Sequence, residues 1–254
     1  MFGPYDGRRV RVHPYRRMMP FLMRGRNESA VYFEQHLDVA RAQAWLATRK
    51  ASLFALVLHA LASVLHERER LNRFTVGRRI YQRHAVQLSF AAKKRYADDA
   101  PLATVKRTFA ATESFDDLVR GLSDDITTAK SDATSAVDRE LSILLRLPGF
   151  LLAFLLWLFE GLYARGLAPR SLVESDPMYA SAFVANLGSL GIDAAYHHLY
   201  EHGNCPLFLT IGRVVDGKLT IRYSFDERVE DGHYCARSLQ LLAQRVEDPA
   251  SWIA

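Results

Sequence analysis

The chain has 254 residues, of which 49% are hydrophobic and 24% charged, with a net charge of +5. That apolar share supports one large domain or two small ones and excludes a disordered chain. Only Cys205 and Cys235 occur, which excludes a disulfide scaffold and makes the reducing cytoplasm the expected compartment.

Residues 1–28 are expected to form an irregular basic arm, with Arg8, Arg9, Arg11, Arg16, Arg17, Arg24 and Arg26 against Asp6 and Glu28. No apolar run of signal-peptide type stands there. The basic bias suits an anionic small ligand or an acidic membrane surface. Nucleic acid is not expected, because no stacking platform or reading helix accompanies the arginines. From Ser29 to Val39 apolar and polar residues alternate, which predicts a half-buried strand. Between Ala40 and Arg68 the apolar spacing becomes helical (Leu46, Leu53, Leu56, Val57, Ala60, Leu61, Val64), predicting one long helix or a helix pair. Phe74–Arg83, punctuated by Gly77, and Ala85–Ala92 read as two strands. Ser114 followed by Asp117 is a start signal for an amphipathic helix reaching about Lys130.

Leu141–Ala168 is an apolar helical segment. Its charge-free run, Leu147–Phe159, is well short of the ~20 residues that cross a bilayer. A buried helix or one packed at a subunit interface is expected, with Pro169 ending it. Trp157, Tyr163 and Arg165 would also suit peripheral membrane contact through residues 147–163. The last third is β-rich: Ala182–Asn186, Pro206–Val215 and Lys218–Phe225, the last two joined by an Asp216-Gly217 hairpin turn. A closing helix spans Asp231 to Val246. The class is α/β, a mixed sheet with flanking helices.

Several blocks occur in an order that resembles a known family. The tail YSFDERVEDGHYCARSLQLLAQRVEDPASWI is similar to the end of the catalytic domain of 2-oxoacid dehydrogenase acyltransferases: a strand, then Asp-His-Arg-x-x-Asp-Gly, then a helix. FVANLGSLGID resembles the family's Thr-Ile-Ser-Asn-Leu-Gly stretch, and PLFLTIGRV its following strand. The helix leading into ERLNRF also holds a family position, and RRMMPFLM in the arm sits where the family has its opening helix. The chain is thereby identified with the chloramphenicol acetyltransferase-like superfamily, a two-layer sandwich, as a single catalytic-type domain over residues 1–254 without lipoyl or subunit-binding domains.

The resemblance implies a homotrimer with a channel between subunits and coenzyme A or acyl-coenzyme A as the small-molecule thioester; no metal is expected from the residues themselves. In that family the motif histidine takes the proton from the attacking thiol or hydroxyl, and a serine of the facing subunit steadies the oxyanion. Here Asp226, Arg228, Asp231 and Gly232 match the frame, as do Asn186 and Gly188 at the earlier strand end. The reacting groups differ: Glu227 stands at the histidine position and Ala185 at the serine position. A glutamate at about 4.3 is a poor acceptor from a thiol unless burial raises it. His233, just after the glycine, is a possible substitute base, and His197, His198 and His202 cluster upstream. His198 and His202 would share a face if helical, but no third metal ligand is evident. Asp231 is expected to pair with Arg16 or Arg17. Two functions follow: an acyltransferase working through a non-standard site, or a catalytically inactive trimeric scaffold or binding module.

Overall fold

A computed structural model describes residues 3–93, 102–131 and 146–253. Six strands form one mixed sheet: β2 (Ala30–Asp38), β5 (Val86–Lys93), β6 (Leu102–Phe109), β7 (Ala182–Asn186), β8 (Leu207–Val215) and β9 (Lys218–Asp226). Their order across the sheet is β2-β9-β8-β7-β5-β6. β7 runs parallel to both β5 and β8, and the remaining pairs are antiparallel. A second, three-stranded sheet sets β1 (Gly7–Arg9) beside β4 (Arg79–Arg83) and β3 (Arg73–Val76). The mixed sheet with flanking helices is the expected architecture.

One face of the large sheet is covered by α2 (Ala40–Arg49), α3 (Leu53–Glu67), α4 (Phe115–Ser131) and α7 (Gly232–Glu247). α3 is the innermost: Leu56, Val57, Leu58, Ala60 and Leu61 are at most 1% exposed. Of the two expected forms, one long helix or a helix pair, the pair is present, and its break has a local cause. Lys50 turns into the left-handed region at φ 52° and ends α2, and the Ser52 hydroxyl accepts the Ala55 amide to start α3. Ser114 starts α4 in the same way, accepting the Asp117 amide. The opposite sheet face is covered by an irregular segment, residues 192–204. Its Ala194, Ala195 and His197 carbonyls accept from the side chains of Arg222, Thr210 and Ser224.

Four expectations are corrected. Phe74–Arg83 is not one strand but the hairpin β3–β4, because Gly77 (φ 53°) and Arg78 (φ 64°) supply the two positive φ angles of a tight turn. The arm is not irregular: it contains β1 and a helix α1 (Pro14–Leu22), the latter as the family resemblance implies. The apolar helix, α5 (Gly149–Ala164), ends at Arg165–Gly166 rather than at Pro169, which instead caps a short helix α6 (Arg170–Ser175). Nor is α5 buried in its own chain: Tyr163 is its single buried residue. Residues 141–145 of that expected segment lie outside the described residues.

Candidate functional site

The motif begins where β9 ends. Asp226, 1% exposed, is surrounded by donors: the Ser29 hydroxyl (2.9 Å) and Arg228 Nε (2.8 Å) and amide (3.1 Å) to Oδ1, and Arg228 Nη2 (2.7 Å) and the Thr75 hydroxyl (3.4 Å) to Oδ2. Arg228, also buried, gives a further hydrogen bond to the Arg24 carbonyl. The pair is fully hydrogen-bonded, the condition under which a buried ion pair is tolerated. Glu230 faces Arg70 (3.3 Å) and Arg73 (3.0 Å) with its side chain 6% exposed. Val229 is buried in the core.

Asp231 is the N-cap of α7. Its carboxylate accepts the Tyr234 amide at 2.8 Å, which with other donors and cations holds it below the usual carboxylate range. The expected Asp231–arginine pair is corrected: no arginine lies within ion-pair distance of it among the described residues, and the motif's buried arginine contact belongs to Asp226. Arg16 instead donates to the Glu227 carbonyl (2.5 Å), while the Glu227 amide donates to Ser29. The Glu227 backbone is thus clamped on both sides. Its half-buried side chain has no hydrogen bond or ion pair among the described residues. His233 is exposed in the first turn of α7, likewise without a side-chain partner among the described residues. A Cβ added at Gly232 would meet open space.

Ala185 lies elsewhere on the sheet. It pairs with Thr210, which pairs with Arg222, four residues before Asp226 on β9. At about 3.3 Å per residue and about 4.8 Å per strand, that is a separation of roughly 16 Å from the motif. A single chain does not bring positions 185 and 227 together. Asn186, next along, accepts the Ser189 amide and shapes the turn after β7. Gly188 is required there, because a Cβ would sit 2.3 Å from the Gly212 carbonyl oxygen.

The histidine cluster is not helical. His197 stacks flat on Phe208 with ring centroids 3.9 Å apart and also stacks on His198. Burial lowers its pKa. His202 is held differently: Nε2 lies 2.8 Å from Asp176 and Nδ1 3.6 Å from Glu160 of α5. The hydrogen bond to Asp176, then the two carboxylate charges, raise its pKa despite burial. A histidine whose folded pKa is raised stabilises most below its unfolded value, about 6.5, and that contribution is lost as pH rises through the folded pKa. Thermal melting of the parent is therefore expected to fall over about pH 6 to 8 by more than that of His202→Gln. Parallel melting curves for the two proteins across this range would contradict the assignment.

Two basic cavities flank the motif. One of about 440 Å³ is lined by Arg11, His13, Arg16, Arg70 and Arg73 against Glu230 and Asp231. The other, about 510 Å³, is lined by Arg24, Arg26, Arg78, Arg165 and Arg228 against Glu160 and Glu201, with Trp157, Tyr163 and Tyr179 as aromatic surface. Asp231 faces the first and Arg228 the second, so the motif stands between them. The arginine-rich arm signalled this concentration of cations, but its convergence with Arg78 and Arg165 depends on the β3–β4 turn and α5. Arg26 is structural: it is 7% exposed and donates to the carbonyls of Tyr200, Glu201 and Gly203. Lys106, which the sequence did not single out, donates to the Val173 and Asp176 carbonyls, and burial lowers its pKa to about 8.

Comparison of the sequence with protein-family models and with curated proteins gives no match. Solved structures do match in shape. A dihydrolipoamide acetyltransferase of Azotobacter vinelandii superposes at TM-score 0.61 with 17% identity, covering 95% of this chain and 93% of that one. That enzyme's catalytic mechanism was investigated through a serine, a histidine and an asparagine. A truncated catalytic core of the 2-oxoacid dehydrogenase complex from Thermoplasma acidophilum gives TM-score 0.61 and 17% identity, over 94% and 98% of the two chains. A chloramphenicol acetyltransferase gives 0.53 and 13%, over 95% and 98%. The sheet order, the Asn-Leu-Gly turn and the Asp226–Gly232 motif, together with these matches along nearly the whole chain, place it in the chloramphenicol acetyltransferase-like fold, resembling the catalytic cores of 2-oxoacid dehydrogenase acyltransferases.

Proposed function

We propose that this chain is an acyltransferase-fold protein that binds an anionic thioester of the coenzyme A type without performing the histidine–serine reaction. One observation carries the reading. The ionisable side chains of the motif other than Glu227 are engaged in holding the fold: Asp226 with Arg228, Glu230 with Arg70 and Arg73, Asp231 with the start of α7. The two positions that would take a proton and steady an oxyanion carry Glu227 and Ala185. Loss of an oxyanion donor alone typically lowers a rate by ~10²–10³. The ligand class rests on the second cavity, where Arg24 and Arg165 could take phosphates. A homotrimer belongs to the same proposal, since positions 185 and 227 could meet only across copies.

A second reading keeps catalysis with Glu227 as the base, favoured by its carboxylate having no ion-pair partner among the described residues. The ligand is tested first by thermal shift with coenzyme A. Saturable stabilisation is expected, with affinity falling about tenfold for each of Arg24→Ala and Arg165→Ala, the loss of one charge-assisted hydrogen bond. No shift at any concentration would remove coenzyme A from the account.

A further inference from the structure

α5 stands off the body of the protein. Its C-terminal end is anchored, where Phe159, Leu162 and Tyr163 pack with Tyr5, Val76 and Tyr179. The rest is half-buried at Leu151, Leu152 and Leu155 and otherwise exposed: Phe150 (78% exposed), Phe154 (51%), Trp157 (69%) and Leu158 (38%) make a stripe at helical spacing, and Leu156 (42%) is exposed on another side. No charged residue interrupts Leu147–Phe159. An isolated apolar side chain at a surface is ordinary, but four on one helical face form a patch that calls for a partner.

The surroundings of this face specify the partner. α1 carries exposed Phe21 (50%) and Leu22 (59%), and Pro20 and Arg24 share a cavity wall with Trp157. Arg78 lies over the Phe21 ring at 5.3 Å, and Arg165 follows the last turn of α5. Three guanidiniums thus stand around the base of an aromatic helix whose single charged residue is Glu160, near that base. α5 has 16 residues, about 24 Å at 1.5 Å each, against a bilayer core of about 30 Å. No single described helix is long and apolar enough to cross a membrane.

We propose that α5 inserts into an anionic phospholipid surface, with the Phe150–Leu158 stretch among the acyl chains and Arg78, beside its anchored end, at the phosphates. A lipid leaflet supplies apolar chains and negative charge in adjoining layers, the arrangement this face complements. At about 24 Å the helix stops short of spanning the bilayer, and its anchored end keeps the domain outside it.

The test uses the full chain with vesicles of phosphatidylcholine alone and of phosphatidylcholine mixed with phosphatidylglycerol. Co-sedimentation is expected with the anionic vesicles, weakened by added salt, with a blue shift of tryptophan emission. Phe150→Ser with Phe154→Ser is expected to weaken binding by about a hundredfold, at least about tenfold for each aromatic, while melting as the parent does because both side chains are exposed. Trp157→Phe is expected to keep binding and lose the blue shift, since Trp45 and Trp252 pack against the core. Neither Phe150 nor Phe154 lines the coenzyme A cavity, so failure here leaves that binding intact. The proposal is overturned by no sedimentation with anionic vesicles, by binding insensitive to lipid charge and salt, or by serine variants that bind as the parent does. It is equally overturned if those variants dissociate an oligomer in sedimentation velocity while vesicle binding is unchanged, which would make the stripe a seam between copies.

Discussion

Replacing Asp226 with alanine is expected to lower the melting temperature by about 10 °C. The side chain is 1% exposed and accepts five hydrogen bonds, three of them from Arg228. Removing it leaves a buried guanidinium with no carboxylate within ion-pair distance among the described residues. Breaking a buried pair in this way typically costs about 3–5 kcal/mol. For a chain of this length each kcal/mol shifts the melting temperature by about 2–4 °C. Glu227→Ala is the matched control. It keeps both backbone clamps, to Ser29 and from Arg16, and its side chain makes no bond that the change removes. A shift below about 2 °C is expected there, as for surface substitutions generally. Calorimetric melting of the two variants separates a motif kept for structure from one kept for chemistry.

Arg83→Met is expected to cost a similar amount, about 3–5 kcal/mol, with an additional local effect. Arg83, whose side chain is 1% exposed, donates to Asp6 (2.9 Å), Asn204 (2.6 Å) and the Ala180 carbonyl (3.1 Å), and lies over the Phe74 ring. Asn204 donates in turn to Asp6 and to the Tyr163 hydroxyl, which donates to Asp6 at 2.7 Å. Burial beside Asp6 pushes the Tyr163 hydroxyl pKa up, so it remains a donor. Tyr163 is also the buried anchor of α5. Methionine would leave Asp6 without its cation and loosen the network that ties the arm, β4 and α5 together. Hydrogen exchange is expected to accelerate across α5 while the core helices α3 and α7 keep their protection. Uniform acceleration over all helices would show that the network has no special link to α5.

The sequence made the last third of the chain legible because its signals are local. Asp216 (φ 49°) and Gly217 (φ 74°) give the β8–β9 hairpin turn that the Asp-Gly pair announces. Asp231, Cys235, Leu239 and Leu242 set the cap and buried face of α7. The β3–β4 hairpin was less legible because its turn is Gly77-Arg78, and an arginine gives no warning of a positive φ. β6 went unread because, over residues 104–109, its buried positions are only Val105 and Phe109, four apart, so the usual alternation is missing. The exposure of α5 could not be read from composition, since an apolar helix has the same sequence pattern whether protein or lipid covers it.

The site was legible as a motif and not as a geometry. The identities at 185 and 227 are plain in the sequence, but their separation follows from the register β7–β8–β9. The arginine partner belongs to Asp226 rather than Asp231 because the turn after β9 brings positions 226 and 228 back to one another, while Asp231 is already engaged with the Tyr234 amide of α7. The two cavities draw lining residues from parts of the chain far apart in sequence, and no local pattern predicts their convergence.

The central claim is that the motif's frame persists while a thioester is bound and not turned over. Isothermal titration of acetyl-coenzyme A into the protein, with a dithiol acceptor such as dihydrolipoamide present, reads both halves in one trace. The account predicts saturable heats that return to baseline, unchanged in Glu227→Gln and weakened in Arg24→Ala with Arg165→Ala. An absence of binding heat, or a sustained heat flow from continuing reaction that Glu227→Gln abolishes, would contradict it.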